Sequence, residues 1–293
     1  MTAGQLFAAC VAIWGSTWIA ITWQLGTVAP EASVFWRFLA ASALLFAYCA
    51  ARGLPLRFPP RQHAWIALQG VLMFSTSYVC VYHAERYVVS GLVAVGYSAS
   101  PLLSMVGMRI FFGTPMTARV GLASLLGIVG IALVFQPEFA RVQAGGAVAA
   151  GAAFTVAAVL ISTFASLAAH RNHEAGVPIW QNMAWGMLYG AIFTLGLLFA
   201  QGGRLAFEPT LAYGLSLAYL AVFGSILAFA SFLHLLAKVG AARAGYIGVM
   251  VPIVALGVSS LFEGYRWTLL SLAGVALSVA GNVIILRRPA AEA

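Results

Sequence analysis

The chain has 293 residues, of which 62% are hydrophobic and 8% are charged, and its formal net charge is +8. About a quarter of the residues in a soluble domain are charged, so this composition excludes an ordinary soluble protein. The basic residues stand singly between apolar runs, without a basic patch that has interleaved aromatic residues, which argues against a nucleic-acid partner.

Apolar runs of about 20 residues, the length of helix that crosses a bilayer, fill nearly the whole sequence. The ten-residue alternation of membrane β-strands is absent, so we predict an all-α membrane protein. The first run is expected to be a retained helix, because no basic residue precedes it and no clear cleavage site follows. Runs bounded by glycine, proline and charge predict ten transmembrane helices, at 4–23, 31–51, 64–84, 88–111, 117–135, 145–169, 177–200, 211–237, 242–262 and 266–287.

Helices 1 and 2 contain the first two candidate cavity residues. Trp14 lies in Trp-Gly-Ser-Thr-Trp, where two large rings accompany small polar residues that also suit close helix packing. Arg37 lies about two turns into helix 2, where a guanidinium is costly and normally faces protein, water or substrate. It either caps backbone carbonyls or holds a substrate carboxylate.

Helix 3 ends in a run of aromatic residues. Tyr78 and Tyr82 are four residues apart and share a face. Phenol rings offer apolar area and one hydrogen-bonding tip, which suits an aromatic or amphipathic solute, although an interfacial aromatic belt has the same composition. His83 follows near the outer end, and His234 lies near the inner end of helix 8. These histidines either form gates, carry protons, bind a carboxylate or pack between helices.

Helix 4 contains a stretch that invites two interpretations. The residues from Gly96 to Ser100 come within one residue of Gly-x-Ser-x-Gly, the serine-nucleophile elbow, with Ser98 as nucleophile and His83 or His234 as base. The strand-turn-helix context of that elbow is absent, so a serine hydrolase is the remote alternative. Pro101 instead predicts a helix kink, with Tyr97 and Ser98 beside a pathway.

The second half of the chain contributes four further candidates. Gln181 in helix 7 corresponds to Arg37 by the internal repeat described below, and it is polar but uncharged. In helix 9, Tyr246 and Met250 precede Pro252, the second expected kink. Methionine is an adaptable wall for varied apolar solutes.

The chain repeats itself at a shift of 151 residues. Identities at that shift include His83 with His234, Pro101 with Pro252, Phe111 with Phe262, Gly113 with Gly264 and Gly130 with Gly281, and helices 2 and 7 match at a shift of 144 through Trp36 and Trp180. Each unit has five helices, an odd number, so the second unit is inverted. We predict two inverted repeats, 1–140 and 141–293, in one integral membrane domain, an architecture suited to alternating access.

Positive charge predicts the orientation. With the N-terminus inside, the outer connections contain only Arg86, Arg141, Arg204 and Arg266. The cytoplasmic segments contain Arg52, Arg57, Arg61, Arg109, Arg119, Arg171, Lys238, Arg243, Arg287 and Arg288. We therefore expect both termini in the cytoplasm of a bacterium, with the chain in the inner membrane.

The sequence resembles the EamA-type family of the drug/metabolite transporter superfamily across all ten predicted helices. The motifs that resemble the family are Ile13-Trp14-Gly15-Ser16, Phe35-Trp36-Arg37-Phe38, Pro101 followed by Phe112-Gly113, and Gly240-Ala241-Ala242-Arg243 followed by Pro252 and Phe262-Glu263-Gly264. Aromatic residues and histidine in helix 3 are most similar to a bacterial exporter of aromatic amino acids. One departure is Phe112-Gly113-Thr114, where many relatives have a Gly-Glu pair.

These observations predict a transporter, not an enzyme, that exports small amphipathic metabolites, above all aromatic or neutral amino acids. The chain has no aspartate, and its glutamates lie near predicted helix ends, so facilitated diffusion is expected. The alternative is an exporter of another metabolite or drug with proton coupling. Three cysteines without Cys-x-x-Cys spacing predict neither a disulfide framework nor a metal site, and no cofactor is expected. The expected partners are a small-molecule substrate and the lipid bilayer, with the chain as a monomer.

Overall fold

A computed structural model describes residues 1–113, 118–141, 146–232, 234, 235, 238 and 247–286. Within these ranges the secondary structure is entirely helical. We name the helices α1 (Ala3–Thr22), α2 (Pro30–Ala51), α3 (Pro60–Ala84), α4 (90–112), α5 (Ala118–Arg141), α6 (Ala147–Glu174), α7 (Ile179–Ala200), α8 (Leu211–Phe232), α9 (Ile247–Phe262) and α10 (Leu269–Leu286).

Six of the described helices are long and apolar enough to cross a membrane, namely α1, α2, α3, α6, α7 and α8. Shorter apolar helical stretches lie in α4, α5, α9 and α10. Multiple apolar helices of this length are what a multi-pass membrane protein requires, since every backbone polar group in lipid must be bonded within the helix. The fold class is therefore an all-helical membrane protein.

Two helices contain a π-helical segment. In α3 the segment Leu72–Thr76 is π-helical, and in α8 the segment Leu220–Leu227 is π-helical. In each segment a hydroxyl donates to the carbonyl five residues earlier, from Thr76 to Val71 over 2.9 Å and from Ser225 to Leu220 over 3.0 Å. A shift of 151 residues places the first segment on 223–227, inside the second. The third and eighth helices thus share an irregularity at corresponding positions.

Helices α5 and α10 make a close contact through glycines. A Cβ atom on Gly130 would lie 2.5 Å from the carbonyl oxygen of Gly274, and a Cβ on Gly281 would lie 2.6 Å from that of Ala123. The 151-residue shift places Gly130 on Gly281 and Ala123 on Gly274. The two contacts are therefore equivalent under the repeat. Small residues of this kind let helix backbones approach closely in a membrane.

Candidate substrate cavity

A cavity of about 430 Å³ lies between α1, α2, α3, α4, α6, α8 and α9. This volume lies within the range of roughly 300–1,000 Å³ that is usual for small-molecule sites. Six aromatic side chains line it, which are Trp14, Trp18, Tyr78, Tyr97, Phe229 and Phe232. Hydroxyl groups supply most of the polar lining, which are those of Thr17, Ser77, Ser100, Ser162 and Ser166. The cavity therefore presents aromatic surface with scattered hydrogen-bonding groups.

Arg37 is the charged residue among the described groups that line this cavity. Its side chain is 1% exposed, and its guanidinium lies over the Tyr78 ring, 4.5 Å from the centroid. Its Nε donates to Ser225 Oγ over 3.3 Å, but its Nη1 has no hydrogen-bond partner among the described residues. A buried guanidinium with an unused donor favours an anionic ligand.

The π-helical segment of α8 holds both Arg37 and a neighbouring ring. Ser225 lies in that segment and accepts the Nε hydrogen bond of Arg37. The carbonyl of Gly224 accepts a hydrogen bond from the Trp14 indole over 3.3 Å. A Cβ atom on Gly224 would lie 2.8 Å from Cγ2 of Thr17, so only glycine leaves room for α1 here. Irregular π turns often occur at functional sites, and this one positions Arg37 and Trp14 in the cavity lining.

The third and fourth helices meet at the cavity through Tyr97. The hydroxyl of Tyr97 lies 2.9 Å from that of Ser77, and its ring lies 5.3 Å from that of Trp18. Tyr97 begins a 3₁₀ turn, Tyr97–Ala99, which interrupts α4 and ends two residues before Pro101. Proline has no N–H to donate to the Tyr97 carbonyl, and the Ser100 N–H bonds to that carbonyl instead.

The second proline lies inside α9. Pro252 lines the cavity together with Gly248, whose carbonyl a regular helix would bond to residue 252. Both prolines thus coincide with local loss of regular α hydrogen bonding. Non-helical backbone is tolerated at membrane depth where it faces protein or a cavity.

Two other predicted site residues lie beyond the cavity, toward the end of α3. Tyr82 is fully buried and donates to Gln24 over 2.6 Å. His83 lies 2.9 Å from Glu31 and stacks on Phe154, with 5.1 Å between ring centroids. Both side chains are engaged in contacts between helices near one end of the bundle.

Three further predicted residues lie apart from the cavity. Gln181 is 3% exposed, Met250 is 37% exposed, and the exposed His234 has Nδ1 2.7 Å from the Ala230 carbonyl. Tyr246 lies outside the described residues. The structure therefore brings Trp14, Arg37, Tyr78, Tyr97 and Pro252 together, and it places Gln181, Met250 and His234 elsewhere.

Ser98 does not face the central cavity. It lies in a small pocket with Val95, Pro252, Val275 and Ser278. We expect Ser98→Ala to transport at the wild-type rate, because no cavity contact is lost. Initial rates in proteoliposomes would measure this, and a loss of activity above tenfold would revive a nucleophilic role.

Sequence reasoning missed several lining residues. Trp18 lies one turn after Trp14 in the same motif, and Phe229 and Phe232 are three residues apart in α8, so helical spacing was an available signal. Ser162 and Ser166 in α6 are likewise four apart. The sequence motif around Trp14 was thus informative over a full turn of helix.

Comparison with known proteins gives several consistent similarities. The sequence profile of the EamA-like transporter family matches residues 2–136 and again 149–287. The "Uncharacterized inner membrane transporter YedA" of Escherichia coli strain K12 is 30% identical, over 97% of this chain and 89% of that protein. The "Probable terminal-alkyne amino-acid exporter" of Streptantibioticus cattleyicolor is 29% identical, over 82% of this chain and 78% of that protein. A solved crystal structure with 18% identity superposes with a TM-score of 0.69, over 97% of this chain and 96% of that one, and shares the fold.

Proposed function

The chain belongs to the EamA-like transporter family of the drug/metabolite transporter superfamily, and we propose that it exports aromatic or other neutral amino acids by alternating access. It is a multi-pass transporter of the bacterial inner membrane. The observation that carries the substrate proposal is the unused Nη1 donor of Arg37 in the wall of an aromatic cavity. The name of the Streptantibioticus relative, an amino-acid exporter, supports the same class.

In the proposed binding mode, the carboxylate and the side chain of the substrate contact different parts of the cavity lining. The α-carboxylate binds Nη1 of Arg37, because a guanidinium is a strong and directional carboxylate donor. The aromatic side chain of the substrate packs among Trp14, Trp18 and Phe229. The ammonium group lies near the Tyr97 ring, where cation–π attraction contributes, and near the hydroxyls of Ser77 and Tyr97.

Two inverted five-helix units, 1–140 and 141–293, are part of this proposal. The two matches to one family profile support it, as do the equivalent glycine contacts between α5 and α10. The paired π-helical segments of α3 and α8 support it as well. Inverted units exchange their shapes around a central site, which is how alternating access works in such folds. We place both termini in the cytoplasm, so that the Glu85 end of α3 is the outer end.

A panel of solutes in proteoliposomes tests the substrate class. We expect counterflow of phenylalanine, tryptophan and leucine, weaker transport of phenethylamine, which lacks the carboxylate, and none in liposomes without protein. Faster transport of organic cations than of any amino acid would reject the proposal, because the cavity would then favour positive charge.

Energy coupling is tested by varying the proton gradient. We propose facilitated diffusion, with proton-linked export of another metabolite or drug as the second candidate. Under facilitated diffusion, the final ratio of the phenylalanine concentrations inside and outside the vesicles equals one at every imposed pH difference. Accumulation above the equilibrium level in response to a pH difference would instead support coupled transport.

A further inference from the structure

Glu85 is a buried carboxylate without a partner. It follows the last residue of α3, is 7% exposed, and has no hydrogen-bond partner for either oxygen among the described residues. Placing an ionised carboxylate in such a site is unfavourable, and the neutral acid is favoured instead. The cavity function proposed above does not use this side chain.

Glu263 is an acidic neighbour of Glu85, and its carboxyl group is bonded to other groups. Glu263 accepts hydrogen bonds from the backbone N–H of Ser90 over 3.0 Å and from the Ser259 hydroxyl, and thereby caps the beginning of α4. Its negative charge opposes ionisation of Glu85.

Four further charged or titratable groups surround this end of the bundle, namely Arg37, Glu31, His83 and Arg86. Arg37 on α2 acts on Glu85 in the opposite direction and favours the carboxylate. Glu31 on α2 is paired with His83 on α3 at 2.9 Å, and Arg86 also acts on Glu31. Burial and the charge of Glu263 outweigh Arg37, so the pKa of Glu85 is raised well above its ordinary value.

Glu85 also lies at an opening of the protein surface. Trp23, Gly26, Arg86 and Glu263 line this opening with it. Along α3, Tyr82 lies between Glu85 and the cavity residue Tyr78, fully buried and bonded to Gln24. A change that opens this end would therefore hydrate Glu85 from the adjacent compartment.

We propose that Glu85 is a proton-binding residue that regulates transport from the side of the membrane on which it lies. A proton on its carboxyl group stabilises the closed arrangement at this end, and opening releases the proton to the adjoining compartment. The proton returns to the side from which it came, so it modulates the rate without driving accumulation. The effect on transport rests on the proposed function, whereas the protonation itself does not.

The direction of the pH effect follows from linkage. A carboxyl whose pKa is higher in the closed state than in the open state favours closure at low pH. That preference is lost as the pH rises through the pKa of the closed state. Acidification on the Glu85 side therefore slows opening.

Infrared titration of the purified full chain in detergent tests the protonation. We expect the wild type at neutral pH to show the C=O stretching band of a protonated carboxylic acid, which disappears as the pH is raised. The band is absent from Glu85→Gln. It is retained in the matched control Glu208→Gln, because Glu208 is partly exposed and bonded to Thr27 and Thr210. A wild-type spectrum without the band, or a band that persists in Glu85→Gln, would overturn the proposal, whatever the substrate is.

Transport at varied pH on one side tests the regulation. With the pH on the other side fixed, acidification on the Glu85 side slows wild-type phenylalanine counterflow by several-fold. Glu85→Gln transports at the slow acidic rate at every pH, because glutamine keeps the shape of the neutral acid. A wild-type pH profile in Glu85→Gln would contradict the regulatory role. Proton-driven accumulation that disappears in Glu85→Gln would overturn the proposal that the proton leaves and returns on one side only.

Discussion

Arg37→Gln will weaken phenylalanine binding about 10- to 100-fold and leave phenethylamine binding nearly unchanged. A hydrogen bond to a charged group contributes about 1.5–3 kcal/mol, and each 1.4 kcal/mol is about tenfold in Kd. Phenethylamine has the same ring and ammonium group but no carboxylate, so it lacks the group that Nη1 of Arg37 is proposed to bind. Titration calorimetry on the two ligands measures the difference directly.

The control for this result is another arginine with an aromatic contact. Arg171 lies over Trp65 at 4.5 Å, outside the described cavity lining, so Arg171→Gln is expected to bind both ligands as the wild type does. If Arg37→Gln lost affinity for both ligands equally, Arg37 would be a packing residue that shapes the cavity through Tyr78 and Ser225. A melting curve on each variant separates weak binding from loss of fold.

Gly70→Ala will destabilise the protein by about 1–3 kcal/mol, the range for inserting a methyl group into a packed interior. Gly70 in α3 packs on α7, where an added Cβ would overlap the carbonyl oxygen of Gly186. The carbonyl of Gly70 would in turn lie 2.8 Å from a Cβ on Gly190. Both helices contribute backbone atoms to this contact, so no flexible side chain can move to accommodate the added methyl group. The two helices must therefore separate.

Gly196→Ala is the matched control, because it changes a glycine of α7 that has no atom within 4 Å of an added Cβ. We expect it to be neutral or to stabilise by up to about 1 kcal/mol, since alanine restricts the unfolded chain more than glycine does. Unfolding by denaturant in detergent micelles, followed by circular dichroism, measures both variants. Equal stabilities for the two would show that the contact between α3 and α7 is looser than described.

The all-helical membrane class followed from composition, because long apolar runs leave few alternatives. Arg37 was identifiable because a guanidinium in a membrane helix needs a specific partner. The inward face of each helix was harder to predict. In a bilayer both the lipid and the protein interior are apolar, so an exposed Leu125 and a buried Leu45 look alike in sequence.

Local irregularities account for the other differences between prediction and structure. The apolar pattern of 72–76 and 220–227 is that of an ordinary membrane helix, so hydropathy alone does not predict the π-helical segments. Glu85 stands at a helix end, which usually indicates hydration, but its surroundings exclude water from the carboxylate. Ser98 was placed beside Tyr97 as lining, and a single residue along a helix turns the side chain by about 100° and away from the cavity.

The π-helical segment of α8 also makes this helix unusually tolerant of a change in length. A π turn accommodates one more residue than an α turn, so removing one residue from 220–227 restores regular helix, and the side chains beyond it keep their orientation. Phe229 and Phe232 would stay in the cavity wall, whereas the widened turn that contacts Arg37 through Ser225 and Trp14 through Gly224 would be lost. The same deletion in a regular part of α8 would instead rotate every later side chain by about 100°. A one-residue deletion inside the segment therefore changes the support of Arg37 and not the register of the helix.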